Sequence, residues 1–244
     1  MEKYSIRPIP ILKGKVEKPR ITYDSHFGDM QDVGVFVWYI EGTKRRIMID
    51  GGVAIESFHH RVGSASSIQT LDEGLGKLGL KPEDIDTVII THLHFDHIEL
   101  TRRFKKAEIL LQKKELEFAY NPHPLRAHAY KSNLAFLEGA NIRTLDGDTD
   151  ILDGVRVLLT PGHSAANQSV AVETAAGLAV ITGFCCVQEN FNPPPELQER
   201  GPFIPPGVAL NAMQAYDSVA RVVELADIII PNHALEFAQV DRIP

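Results

Sequence analysis

Short apolar runs and amphipathic stretches follow one another along most of this chain. "VFVWYIEG" (35–42) and "RRIMIDGG" (45–52) are strand-length runs of aliphatic and aromatic residues, and the break around Gly42 predicts a turn that pairs them. In "TLDEGLGKLGL" (70–80), Leu71, Leu75 and Leu78 share one face at helical spacing, and Thr70 is placed to cap the first turn. "DTVIITH" (86–92) and "AEILLQ" (107–112) predict two more buried strands, and "KKELEFAY" (113–120) a helix opened by charged residues. After about residue 140 the pattern turns to strands: "NIRTLDGDTDIL", "VRVLLTPGHS" and the hairpin "QSVAVETAAGLAVITG" with "AAG" at its turn. A Pro-rich loop from Asn192 to Gly207 is expected to fold over something, before a last helix in "LNAMQAYDSVARVVELA" and a last strand in "DIIIPNH". The alternation predicts an α/β chain, 1–244, folding as a single domain without repeat or linker.

Composition narrows the setting. The 244 residues are 44% hydrophobic and 23% charged, ordinary globular values, and no apolar run approaches the roughly 20 residues of a membrane helix. A net charge of -7, with no basic cluster longer than "TKRR" or "FKK", argues against a nucleic-acid partner. "MEKYSIRPIPILKGK" has no hydrophobic signal core. Cys185 and Cys186 are adjacent and poorly placed for a disulfide, so two free thiols and a cytoplasmic setting are expected.

The chemistry lies in "THLHFDHIEL" (91–100), directly after a predicted strand. His92 and His94, two apart in extended chain, project to one side, and Asp96 and His97 follow at the turn into a helix. Imidazole and carboxylate are the donors that suit zinc, iron or manganese, and a cation offsets the cost of gathering them in an apolar setting. His163 in "LLTPGHS" and His233 in "IIIPNH" also end predicted strands. His26, His59, His60, His123 and His128 lack that context and are expected on the surface or on a pocket wall.

The order "MIDGG", "THLHFDH", "TPGHS", "ITG" and "IPNH" resembles the metallo-β-lactamase superfamily, and "LGLKPEDIDTVIITHLHFDH", "ELEFAYNPHP", "LLTPGHSAANQSV" and "QENFNPP" are similar to its N-acyl homoserine lactonase group. The resemblance implies a four-layer αβ/βα sandwich with a metal site along one edge. It implies one zinc held by His92, His94 and His163 and a second by Asp96, His97 and His233, with iron or manganese as alternatives. Asp50 would orient a ligand histidine from beneath, and Asp96 would also be the catalytic proton carrier. The implied reaction is hydrolysis of a small-molecule lactone or ester, a quorum-quenching activity, in a possible homodimer. A persulfide dioxygenase-like iron oxidoreductase and a glyoxalase II-like thioester hydrolase are the alternatives.

Two departures from the family stand out. Phe184 occupies the place where most members carry an aspartate bridging both metals, and the tyrosine that the lactonases carry shortly afterwards is absent. Alternation lets at most one of Cys185 and Cys186 face the metals in its stead. The walls of the pocket are expected from the 192–207 loop and the loop around Pro122 and Pro124.

Overall fold

The computed structural model describes residues 3–244; Met1 and Glu2, at the head of the stretch read for an export signal, lie outside it. Two β-sheets face each other with helices on both outer surfaces, as the resemblance implied. The strands are β1 (Ser5–Glu17), β2 (Met30–Glu41), β3 (Ile47–Ile49), β4 (Ala65–Ser67), β5 (Thr87–Ile89), β6 (Glu108–Gln112) and β7 (Asn141–Leu145), then β8 (Thr149–Leu152), β9 (Val155–Leu159), β10 (Gln168–Thr174), β11 (Gly177–Ile181) and β12 (Ile228–Ile230). The helices are α1 (Ile55–Arg61), α2 (Leu71–Lys77), α3 (Phe95–Ile98), α4 (Lys113–Tyr120), α5 (Pro195–Gln198) and α6 (Ala212–Leu225). The first sheet runs β4-β1-β2-β3-β5-β6-β7 and the second β12-β11-β10-β9-β8.

Period-two alternation assigns each apolar side chain to a layer. Trp38, Ile47, Ile49, Ile89, Val170 and Ile181 point into the space between the sheets. Their neighbours Val37, Met48, Val88 and Ile90 point outward beneath α2 and α4, and Ala171 and Val180 beneath α6. Because helices cover the outer faces, these strands read as continuous apolar runs. Thr70 caps α2 as expected, its hydroxyl accepting from Glu73 N while the Glu73 carboxylate accepts from Thr70 N. No helix among the described residues is long and apolar enough to cross a membrane.

The structure also holds elements that the pattern alone did not single out. β1 pairs with β2 from Ser5↔Glu41 to Glu17↔Met30; its run "IRPIPILKGKV" is broken by two prolines and a glycine, which masks the alternation. The 192–207 loop contains the short helix α5.

Strand polarity positions the site. β3, β5, β6 and β7 are mutually parallel, so β3 and β5 end on the same edge. There β3 delivers Asp50 and β5 delivers the 91–97 segment, while β9 and β12 of the second sheet lead to His163 and His233.

Candidate metal centre

Two trios of donor groups meet at this edge: His92, His94 and His163, and Asp96, His97 and His233. In the first, His92 Nε2 lies 3.1 Å from His94 Nδ1 and 3.2 Å from His163 Nε2. The proton positions follow from the outer partners. Thr91 Oγ1 donates to Asp50 Oδ2, so His92 Nδ1 must donate to Thr91 Oγ1, 3.1 Å away. His163 Nδ1 donates to the Val208 carbonyl. Both Nε2 atoms therefore carry bare lone pairs, facing each other with no proton between them. That contact is repulsive unless a cation lies within it, and two imidazole nitrogens about 2.05 Å from a tetrahedral ion stand about 3.3 Å apart. The donors present fit a metal.

The second trio has the same logic. His97 Nδ1 donates to Asp50 Oδ2 at 2.7 Å and His233 Nδ1 to the Gly34 carbonyl at 2.9 Å, which leaves both Nε2 atoms free. These stand 3.5 and 3.8 Å from Asp96 Oδ2.

Electrostatics differ between the trios. Burial, reinforced by neighbouring imidazoles, pushes His92 and His163 well below the ordinary histidine value, and burial brings His94 down to about 4. These three rings are neutral near pH 7 and available as ligands. For His97 burial works the same way, but Asp96 and Asp50 overcome it and raise the pKa; for His233, Cys185 and Asp96 do so. Burial opposes the ionisation of Asp96, yet the imidazoles of His97, His233 and His94 hold its pKa below the usual value.

Asp50 is fully buried beneath the centre, its carboxylate accepting from Thr91 N, Thr91 Oγ1, His97 Nδ1 and Asn232 Nδ2. Its φ of 62° is unusual for a residue with a side chain, and the hydrogen bonds over-determine it. Next to it, a Cβ on Gly51 would sit 2.4 Å from Thr101 Oγ1, which explains the small residue there.

Glu115 was legible in the sequence only as one of the charges opening a helix. It is fully buried, and its carboxylate accepts from Leu93 N, between His92 and His94, and from Ser164 Oγ and Ala166 N, beside His163. One side chain thus ties together the two loops that carry the first trio. Glu115→Ala is expected to destabilise the fold by about 3 kcal/mol, since each stranded buried donor costs about 1–3 kcal/mol; a denaturant titration measures it.

Phe184 is buried in the apolar cluster under α6, near Phe191, and supplies no carboxylate to the centre. Cys186 is also buried there, its sulfur 3.1 Å from Thr182 Oγ1. Cys185 lines the cavity over the trios and interacts with His233. Alternation thus places one thiol at the site and one behind it.

The cavity holds about 400 Å³. Of the expected walls, the 122–124 loop contributes only through its C-terminal neighbours Arg126, His128 and Ala129, while His123 turns its Nδ1 to accept from Leu125 N. The 192–207 loop is a correction: none of its residues lines the cavity, because Pro205 and Ile204 are bonded to Tyr23 and Asn190 away from it. The chain reaches the site at Val208.

The sequence pattern of the metallo-beta-lactamase superfamily matches residues 30–183. This chain belongs to the metallo-β-lactamase superfamily. Among its relatives in that superfamily is an N-acyl homoserine lactonase of Bacillus cereus, 30% identical over 81% of this chain and 78% of the relative. A solved N-acyl homoserine lactone hydrolase with N-hexanoyl-L-homoserine at its catalytic metal centre superposes with a TM-score of 0.78 at 23% identity, covering 98% of this chain and 96% of the other. AidC, a dizinc quorum-quenching lactonase, gives a TM-score of 0.73 at 14% identity, covering 99% and 90%. These likenesses confirm the metallo-β-lactamase sandwich read from the motifs.

Proposed function

We propose that this protein is a metal-dependent hydrolase that opens lactones and cleaves related esters. The observation that carries the reading is the pair of bare Nε2 lone pairs on His92 and His163, 3.2 Å apart and completed by His94, with Asp96 alongside. His92, His94 and His163 would hold one zinc ion, and Asp96, His97 and His233 a second. The bound cation supplies Lewis acidity, which acidifies water and polarises an ester carbonyl. Everything else falls to the chain. Asp50 fixes the His97 tautomer, and Glu115 fixes the loops beneath His92, His94 and His163. Among the described residues Asp96 is the one carboxylate lining the cavity, so it takes the proton of the attacking water and returns it to the leaving oxygen.

The 30% identical lactonase of Bacillus cereus favours acyl lactones as substrates and quorum quenching as the biological role. The two free cysteines are compatible with the cytoplasm.

A panel of acyl lactones, aryl esters and thioesters, assayed with metal analysis of the same sample, tests the proposal. Lactone or ester turnover is expected, and Asp96→Asn should lower kcat by about 100-fold or more. Oxygen consumption with a persulfide and a single iron, without ester cleavage, would replace this reading by the oxidoreductase one.

A further inference from the structure

The cavity over the two trios is charged in a way that the protein as a whole is not. The chain carries a net -7, yet Arg20, Arg61 and Arg126 all line this cavity, and its one carboxylate among the described residues is that of Asp96, which belongs to the second trio. None of the three arginines is in an ion pair among the described residues. Arginine left without a carboxylate at the wall of a cavity is a ready site for a carboxylate or phosphate.

Their placement is built into the fold. The strap 207–209 joins two of them to the centre. Val208 N donates to the Arg20 carbonyl, the Val208 carbonyl accepts from His163 Nδ1, and the Ala209 carbonyl accepts from Arg126 Nη2 at 2.8 Å. The Arg126 guanidinium is also close enough to His94 to disfavour a charge on that ring. Arg61 lies over the Phe95 ring, 4.9 Å from its centroid, and its remaining partners are the neutral Asn133 and Ser132. Arg126 thus stands beside the first trio, and the cavity wall also includes the apolar Ile21, Val33, Phe58 and Val62.

We propose that Arg20, Arg61 and Arg126 form an anion subsite, and that the substrate is an acidic lactone or ester: an apolar body that carries a carboxylate or phosphate besides the scissile group. A neutral acyl lactone would offer no charge partner to these guanidiniums, of which Arg20 and Arg61 are exposed and Arg126 is half-buried. The inference rests on the hydrolase reading for the words lactone and ester, while the subsite itself rests on the arginines. The cationic wall also concentrates anions at the mouth of an otherwise acidic protein, an effect that salt weakens.

The test uses the metal-loaded protein and one γ-lactone side chain ending in methyl, carboxylate or phosphate. kcat/KM is measured for each lactone, and calorimetry gives the Kd of each ring-opened hydroxy acid. Both anionic ends are expected to outperform methyl by at least tenfold in each measurement, with the ratio shrinking as salt is raised. Arg20→Gln with Arg61→Gln should cut that ratio to about threefold or less, and Arg126→Lys should lower it by a smaller factor. A preference for only one anion identifies which of the two the subsite takes. Ratios near one in the unaltered protein, or ratios unmoved in every variant, overturn the subsite. If neither these lactones nor the ester panel is turned over but the binding ratio and its loss in the variants hold, the subsite stands and the hydrolase reading falls.

Discussion

Removing metal from this protein is expected to abolish ester hydrolysis and to lower the melting temperature by roughly 10 °C, because ligand binding at about a thousand times Kd contributes about 4 kcal/mol and a chain of this size shifts by about 2–4 °C per kcal/mol. The cause is the repulsion designed into the first trio, where His92 Nε2 and His163 Nε2 face each other at 3.2 Å with both protons committed elsewhere. Without a cation one ring must turn, and turning His163 breaks its bond to the Val208 carbonyl and loosens the strap. Acid should deepen the loss. His92, His163 and His94 have folded pKa values below the unfolded value of 6.5, so the unfolded chain takes up protons first, and their stabilisation, present above that value, is lost as pH falls below it, for His94 down to about 4. His97 and His233 act in the opposite sense: their folded values are raised, so their contribution is full below 6.5 and is lost as pH rises through the folded values. Three groups against two, with the larger shifts in the three, predict a metal-free protein that melts earlier at pH 5 than at pH 7. Scanning calorimetry with and without chelator, alongside a lactone assay, checks both parts. Equal melting temperatures and full activity after verified metal removal would sink the claim.

The same geometry explains which features could be read from the sequence. The proposed ligand residues were legible because strand ends are marked twice, by the apolar run and by the Pro-Gly or Pro-Asn step that stops it, as in "LLTPGHS" and "IIIPNH". The strands were legible as short apolar runs, but the layers were implied only by the family resemblance, because both faces of β2, β5, β10 and β11 are buried and apolar. Glu115 was not, since a carboxylate near a helix start is ordinarily solvated, and only the return of the 164–166 segment onto it makes it a buried acceptor. The arginine wall escaped for a similar reason. Arg20, Arg61 and Arg126 lie far apart in sequence, and the overall acidity of the chain hides a local cationic surface that only folding assembles. Proline-rich composition marked 192–207 as irregular chain, but composition has no direction, and backbone hydrogen bonds to Tyr23 and Asn190 decide where the loop lies.

The two metal positions are expected to fill unequally, the one at His92, His94 and His163 first and the other at least tenfold more weakly. The first has three neutral nitrogens already facing one point. In the second, Asp96, His97 and His233 have no bridging carboxylate from position 184, and the raised pKa values of His97 and His233 mean that protons compete harder for their nitrogens. The missing charge cannot be restored at Phe184, which is 1% exposed inside an apolar cluster. A carboxylate there would be desolvated rather than delivered to the centre, so Phe184→Asp should lower stability by about 3 kcal/mol without tightening metal. Cys185 is the position that faces the cavity beside His233. Cys185→Ser should therefore weaken the second metal by about tenfold if its sulfur donates, and Cys185→Asp should strengthen it relative to Cys185→Ser. Cys186→Ser, behind the site against Thr182, should change stability but not metal affinity. Metal titrations of the four variants and the unaltered protein at pH 7 and pH 6 read all of this, with the weaker ion leaving first on acidification. Two equally tight ions in every variant would mean that the second site needs neither a bridge nor the thiol.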